Sequence, residues 1–98
     1  MTNAGFSDYL FDGLADPTIT VVRGCSYTFN VDALGHPFLI KSVQGIGVAN
    51  AYNDGVVNNG VAQGVITWDV SLAAPDPLFY NCQFHAPMTG EFNVIDPM

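Results

Sequence analysis

From Cys25 to Val31, apolar and polar side chains alternate without a break. Cys25, Tyr27, Phe29 and Val31 fall on one side, Ser26, Thr28 and Asn30 on the other. A period of two marks a strand half-covered by a core, and the first set is expected to face that core. Gln63 to Val70 repeats the pattern, with Ile66, Trp68 and Val70 set against Thr67 and Asp69. Shorter runs fit strands as well: Tyr9-Leu10-Phe11, Thr18 to Val22, Phe38 to Lys41, Leu78 to Cys82, and the segment holding Phe92 and Val94. Turn signals separate them at Asp12-Gly13, Asp16-Pro17, Arg23-Gly24, Asn53-Asp54-Gly55 and Asn58-Asn59-Gly60. No segment sustains an apolar period of 3.6. The Gly- and Asn-rich residues 45–64 read as one long ordered crossover between two sheets. Gly45-x-Gly47 lacks the third glycine and the helix of a dinucleotide loop, and the Asn and Asp residues nearby do not have the spacing of a calcium loop. About seven or eight short strands with one crossover predict an all-β fold, an antiparallel Greek-key β-sandwich forming a single domain over residues 1–98.

Composition limits what such a domain binds. Of the 98 residues 49% are apolar, enough for one core. Nine carboxylates against Arg23 and Lys41 leave a net charge of −7, which repels nucleic acid phosphates and anionic membranes. The same charge attracts a basic protein partner at low salt. No run is long enough for a membrane-spanning helix, so no membrane insertion is expected. Met1 to Asp12 lacks the basic start and long apolar stretch of a signal peptide. The expectation is a mature form, a domain of a larger protein, or a chain exported by another route.

The chemistry concentrates between Phe79 and Phe92. This stretch opens as an apolar, aromatic strand, breaks at Pro87 and Gly90, and resumes at Phe92. In the break lie Cys82, His85 and Met88, spaced C-x2-H-x2-M. Leu78, Tyr80 and Cys82 share one parity, which aims the Cys82 sulfur inward near the strand's end. A soft thiolate, an imidazole and a weak thioether on one tight loop suit a copper ion that alternates between Cu(I) and Cu(II). A second imidazole is needed, and the only other histidine is His36, in the loop Asp32 to Pro37.

Two cysteines in a small domain also admit a disulfide. Cys25, however, starts a strand beyond whose far end lies His36, and seven strand residues span roughly 20 Å. A disulfide needs Cα atoms within about 7 Å. If Cys82 shares a metal with His36, Cys25 is expected to be a buried free thiol.

On Gly35-His36 after the third strand, and on Tyr80-x-Cys82-x2-His85-x2-Met88-x-Gly90 in the penultimate one, the chain resembles the cupredoxins, the blue-copper family that includes plastocyanin, azurin and amicyanin. The likeness covers roughly residues 18–96 and has the short ligand loop seen in amicyanin. The segments Gly35 to Phe38 and Ala51 to Gly55 also resemble cupredoxin-like modules of large bacterial and phage proteins. The resemblance implies one type 1 copper ion held by His36, Cys82, His85 and Met88, with the thioether long and axial. It implies one-electron transfer without a substrate on the metal, hence no enzyme. It implies an extracytoplasmic location, periplasmic or secreted, and a redox partner protein docking near His85 on an apolar rim of Leu34, Gly35, Pro37, Ala86 and Pro87. One departure stands out. Many cupredoxins use the backbone N–H after the first histidine ligand as a donor to the sulfur, and Pro37 has none.

Other classes remain. Cys82 and His85 as a nucleophilic pair lack an orienting group and an oxyanion site. Zinc accepts one Cys and two His with an open fourth position, but Met88 on the loop favours copper. The alternative function is a structural or adhesive module whose copper site stabilises it or stores metal.

Overall fold

Glycine and proline turns cut the chain into short strands, and no strand exceeds seven residues. The structure, a computed structural model that describes residues 1–97, has no helix among those residues. In order the strands are β1 (Thr2–Ala4), β2 (Asp8–Phe11), β3 (Leu14–Ala15), β4 (Ile19–Val22), β5 (Ser26–Asp32), β6 (Phe38–Lys41), β7 (Val56–Val57), β8 (Gln63–Asp69), β9 (Leu78–Cys82) and β10 (Thr89–Ile95). They form three sheets with the orders β1-β2-β3, β4-β10-β9-β6 and β5-β8-β7.

The all-β class is as the alternation predicts, but the count and the pairing need correction. Ten strands form among the described residues, not seven or eight, and β4 pairs with β10 in parallel, Phe92 opposite Ile19 and Ile95 opposite Val22. Most of the excess lies at the N-terminus. Asp12 and Gly13 both take positive φ, 51° and 81°, as a two-residue hairpin turn of type I′ requires. They join Phe11 to Leu14, and β1 adds on the other side of β2 through Ala4 opposite Asp8.

The four-stranded and the β5-β8-β7 sheets face each other across one core. The four-stranded sheet contributes Phe38, Ile40, Leu78, Tyr80, Phe92 and Val94, and the other contributes Val31, Ile66 and Trp68. Edge-on aromatic contacts close the gap: Trp68 meets Phe92 at 5.0 Å between ring centroids, and Phe29 meets Phe92 at 5.9 Å. Such pairs add about 0.5–1.5 kcal/mol each beyond the area they bury. Tyr9 of β2 enters the same core, 5.1 Å from the Phe38 ring.

The alternation in β5 holds, with Tyr27 and Phe29 half-buried and Val31 buried. It fails at Cys25, which is a free thiol as expected but exposed, not buried. The cause is the turn before it. Gly24, at φ 85°, carries the chain around and the strand begins only at Ser26, so Cys25 lies before the strand and is exposed.

The crossover runs along the free edge of β6. Asn59 acts there as a substitute strand: its Oδ1 accepts from Ile40 N–H at 2.8 Å and its Nδ2 donates to Ile40 C=O at 3.0 Å. Gly60 N–H donates to Phe38 C=O, and Phe38 N–H to Val61 C=O. An edge that would otherwise invite pairing with another chain is thereby filled.

Candidate metal centre

Strand register alone brings the two histidine loops together. Phe38 of β6 sits opposite Cys82 of β9, so His36, two residues before Phe38, lies at the end of the sheet where β9 gives way to its loop. Residues 83–88 connect β9 to β10, and backbone bonds hold their shape: Cys82 N–H to Met88 C=O at 2.9 Å and Met88 N–H to His85 C=O at 3.2 Å. Gln83 N–H reaches across to Pro37 C=O at 3.1 Å, tying this loop to the His36 loop. The latter turns on Gly35, at φ 84°, and closes with His36 N–H on Ala33 C=O at 2.8 Å.

Three donor atoms converge as a result. His36 Nδ1 and His85 Nδ1 are 3.2 Å apart, Cys82 Sγ is 3.4 Å from His85 Nδ1, and Sγ is 3.8 Å from His36 Nδ1. The point equidistant from all three lies about 2 Å from each, close to the roughly 2.0–2.3 Å of metal–imidazole and metal–thiolate bonds. Cys82 is fully buried, His36 is 7% exposed and His85 is half-buried. Burial, and then the neighbouring His85, lower the pKa of His36, which favours the neutral imidazole that a metal requires. Lone pairs on two nitrogens and a sulfur repel at this range unless a proton or cation lies between them. His36, Cys82 and His85 therefore form a buried group able to hold a metal ion. Met88 is fully buried on the same loop. No backbone N–H donates to Cys82 Sγ among the described residues, and the residue after His36 is Pro37.

Two neighbours of the site and two residues that brace the loop behind it escape a reading of the sequence by motif. Tyr9 is fully buried, and its hydroxyl is bonded to His36 C=O at 2.7 Å and to Pro37 C=O at 3.0 Å. Burial foremost, then the nearby Cys82 sulfur, push the Tyr9 phenol far above its ordinary pKa, so it stays a protonated donor. Phe6, in the turn between β1 and β2, packs its ring 5.2 Å from that of His85 and 5.9 Å from that of His36. Lys41 is buried at the other end of β6, its ammonium donating to the carbonyls of Gly45 at 2.5 Å, Gly47 at 3.0 Å and Ile46 at 3.3 Å. Asn81 accepts from Gly45 N–H at 3.1 Å, and Gly47 N–H donates to Gln83 C=O at 2.8 Å, so the crossover's first turn braces the 83–88 loop. The Asp12-Gly13 turn is the one local signal for Tyr9 and Phe6. Their contacts with the histidines join residues too far apart in sequence for any short pattern to reveal. Around the site Leu34, Gly35, Ala86 and Pro87 are exposed and Pro37 is half-buried. No protein-family model, no curated protein and no solved structure matches the chain.

Proposed function

We propose that this protein binds one copper ion through His36, Cys82, His85 and Met88 and transfers single electrons by cycling between Cu(I) and Cu(II). The observation that carries this reading is the buried triangle of one sulfur and two Nδ1 atoms at 3.2–3.8 Å. A thiolate with two imidazoles is the donor set of blue-copper electron-transfer sites, which add a weak, long thioether. Met88, on the same loop, is the thioether we assign to that place. The fold we propose is correspondingly a cupredoxin-like Greek-key sandwich, with the N-terminal hairpin as an addition to it.

The copper supplies the redox couple, and the chain does the rest. Cys82 and His36 are held by strand ends and by the Tyr9 hydroxyl, so the donors do not have to be gathered when the metal arrives or changes charge. Burial excludes water from the sulfur. His85, the half-buried ligand, is the side from which electrons enter and leave, and the apolar rim around it is where a redox partner protein docks. No substrate need reach the metal, so we assign no enzymatic activity, and the location we propose is extracytoplasmic.

Potentiometry with a fast electron-exchange mediator tests the assignment. A reversible one-electron wave from the copper-loaded protein supports electron transfer. Copper that binds tightly and raises the melting temperature, yet cannot be cycled, would make it the stabilising metal of a structural or adhesive module. Met88→Leu is expected to keep the metal and raise the potential, because the apolar side chain donates nothing to Cu(II). Loss of copper from that variant would contradict the role of a weak, dispensable donor.

A further inference from the structure

The N-terminal hairpin lies outside residues 18–96, over which the chain resembles a cupredoxin, yet it supplies two aromatic side chains to the metal centre. Phe6 is 72% exposed, so its burial contributes little to the core. Its contacts are with the two histidines, tilted on His85 at an interplanar angle of 33° and on His36 at 53°.

The turn that carries Phe6 is fixed on both sides. Ahead of it, the Met1 ammonium donates to Asn30 C=O at 2.8 Å, and Asp32 N–H donates to Met1 C=O at 2.9 Å. Behind it, Tyr9 N–H donates to the Asp16 carboxylate and Asp16 N–H to Tyr9 C=O, both at 2.8 Å, while the Tyr9 hydroxyl holds the carbonyls flanking the His36–Pro37 bond. These bonds hold the turn that places the Phe6 ring beside the two imidazoles.

We infer that Phe6 is a shield, held by the Tyr9-anchored hairpin, that denies small anions and free imidazoles access to the metal side of His85 while leaving the rim open to a protein partner. This rests on the copper reading above and specifies what it selects: electron exchange across an apolar contact, in preference to direct binding of a small ligand to the metal. A ring that covers ligands without being bonded to them blocks entry at small cost to folding. Its removal therefore separates access from stability.

Two readouts on Phe6→Ala and Phe6→Leu test this, one of them free of metal. In the apo protein, carbethoxylation of His85 by diethyl pyrocarbonate, followed by peptide mass spectrometry, is expected to be several-fold faster for Phe6→Ala. Phe6→Leu, which restores bulk, should fall near the unaltered protein, with thermal midpoints alike in all three. In the Cu(II)-loaded proteins, azide is expected to leave the unaltered spectrum unchanged and to add a new charge-transfer band in Phe6→Ala. Equal labelling rates in all three proteins would overturn the shield, as would azide binding to the unaltered protein and Phe6→Ala alike. Faster labelling of Phe6→Ala in a protein that takes up no copper would support the shield over His85 and refute the copper reading, so the two claims fail separately.

Discussion

Pro37 follows His36 directly and has no backbone hydrogen to offer. No backbone N–H reaches Cys82 Sγ among the described residues. Donors to a ligand sulfur withdraw electron density and favour the lower oxidation state. Pro37→Ala, by offering an N–H, is therefore expected to raise the copper potential while keeping the colour of the Cu(II) form. An unchanged or lower potential with the ligands intact would contradict this. At the same scale the two cysteines are chemically distinct. Cys25 is exposed and Cys82 buried, so a thiol reagent is expected to label one cysteine of the native protein rapidly, Cys25, and the second only on unfolding. Rapid labelling of both in the folded protein would mean that the packing around Cys82 opens to solvent.

Within the elements, the closest tolerance is between β9 and β10. Gly90 pairs with Tyr80, and the Tyr80 ring lies across it, so that a β-carbon at position 90 would collide with the ring and its hydroxyl. The hydroxyl donates to Pro17 C=O at 2.5 Å. Gly90→Ala must displace the ring and break that bond, at a cost of about 2–4 kcal/mol. A urea midpoint within error of the unaltered protein would show that the ring is not held there. The hairpin carries its own pH dependence. Burial first, then the Asp8 carboxyl beside it, push the Asp16 carboxyl up to about 6, against the opposing bond from Tyr9 N–H. A raised carboxyl pKa means that the folded state binds the proton more tightly. Its contribution to stability is thus full below about pH 4 and lost as pH rises through about 6. Asp16→Asn should flatten the melting temperature between these limits, by about 1 kcal/mol or less at this half-exposed site. A slope unchanged by the substitution would assign the effect elsewhere.

These elements also show what was legible in the sequence. Parity alone placed Ile66, Trp68, Val70, Leu78, Tyr80 and Cys82 inward, because a period of two needs no knowledge of the partner strand. Parity carries no depth, so it did not reveal that Cys25, just before the strand, is exposed. Nor does it carry direction, so the parallel pairing of β4 with β10, some seventy residues away, was invisible. The C-x2-H-x2-M spacing pointed to the loop that carries Cys82 and His85 of the His-Cys-His group, and the convergence of His36 with Cys82 follows from the β6–β9 register. Phe6 and Tyr9 act across distances that no local pattern encodes.

As a whole the molecule presents almost no free positive charge. Arg23 pairs with Asp96 at 3.0 Å and donates to Ala74 C=O, and the Lys41 ammonium is enclosed by carbonyls. The net −7 is carried by the remaining surface, while residues 33–37 and 83–88, the loops that bear the site, contain no charged side chain apart from the histidines. Electrons should therefore pass faster to a cationic cobalt phenanthroline complex than to hexacyanoferrate. Added salt should slow the first and speed the second, as screening sets in over about 10 Å at 0.1 M. Equal salt dependence for both complexes would mean that the field at His85 is not negative. The central claim, that Cys82 and the two histidines bind copper together, is tested most directly by the visible absorption of the apo protein on adding one equivalent of Cu(II). The account predicts an intense band from sulfur-to-copper charge transfer that Cys82→Ser abolishes. A folded protein with a free Cys82 thiol that stays colourless in excess Cu(II) would contradict it.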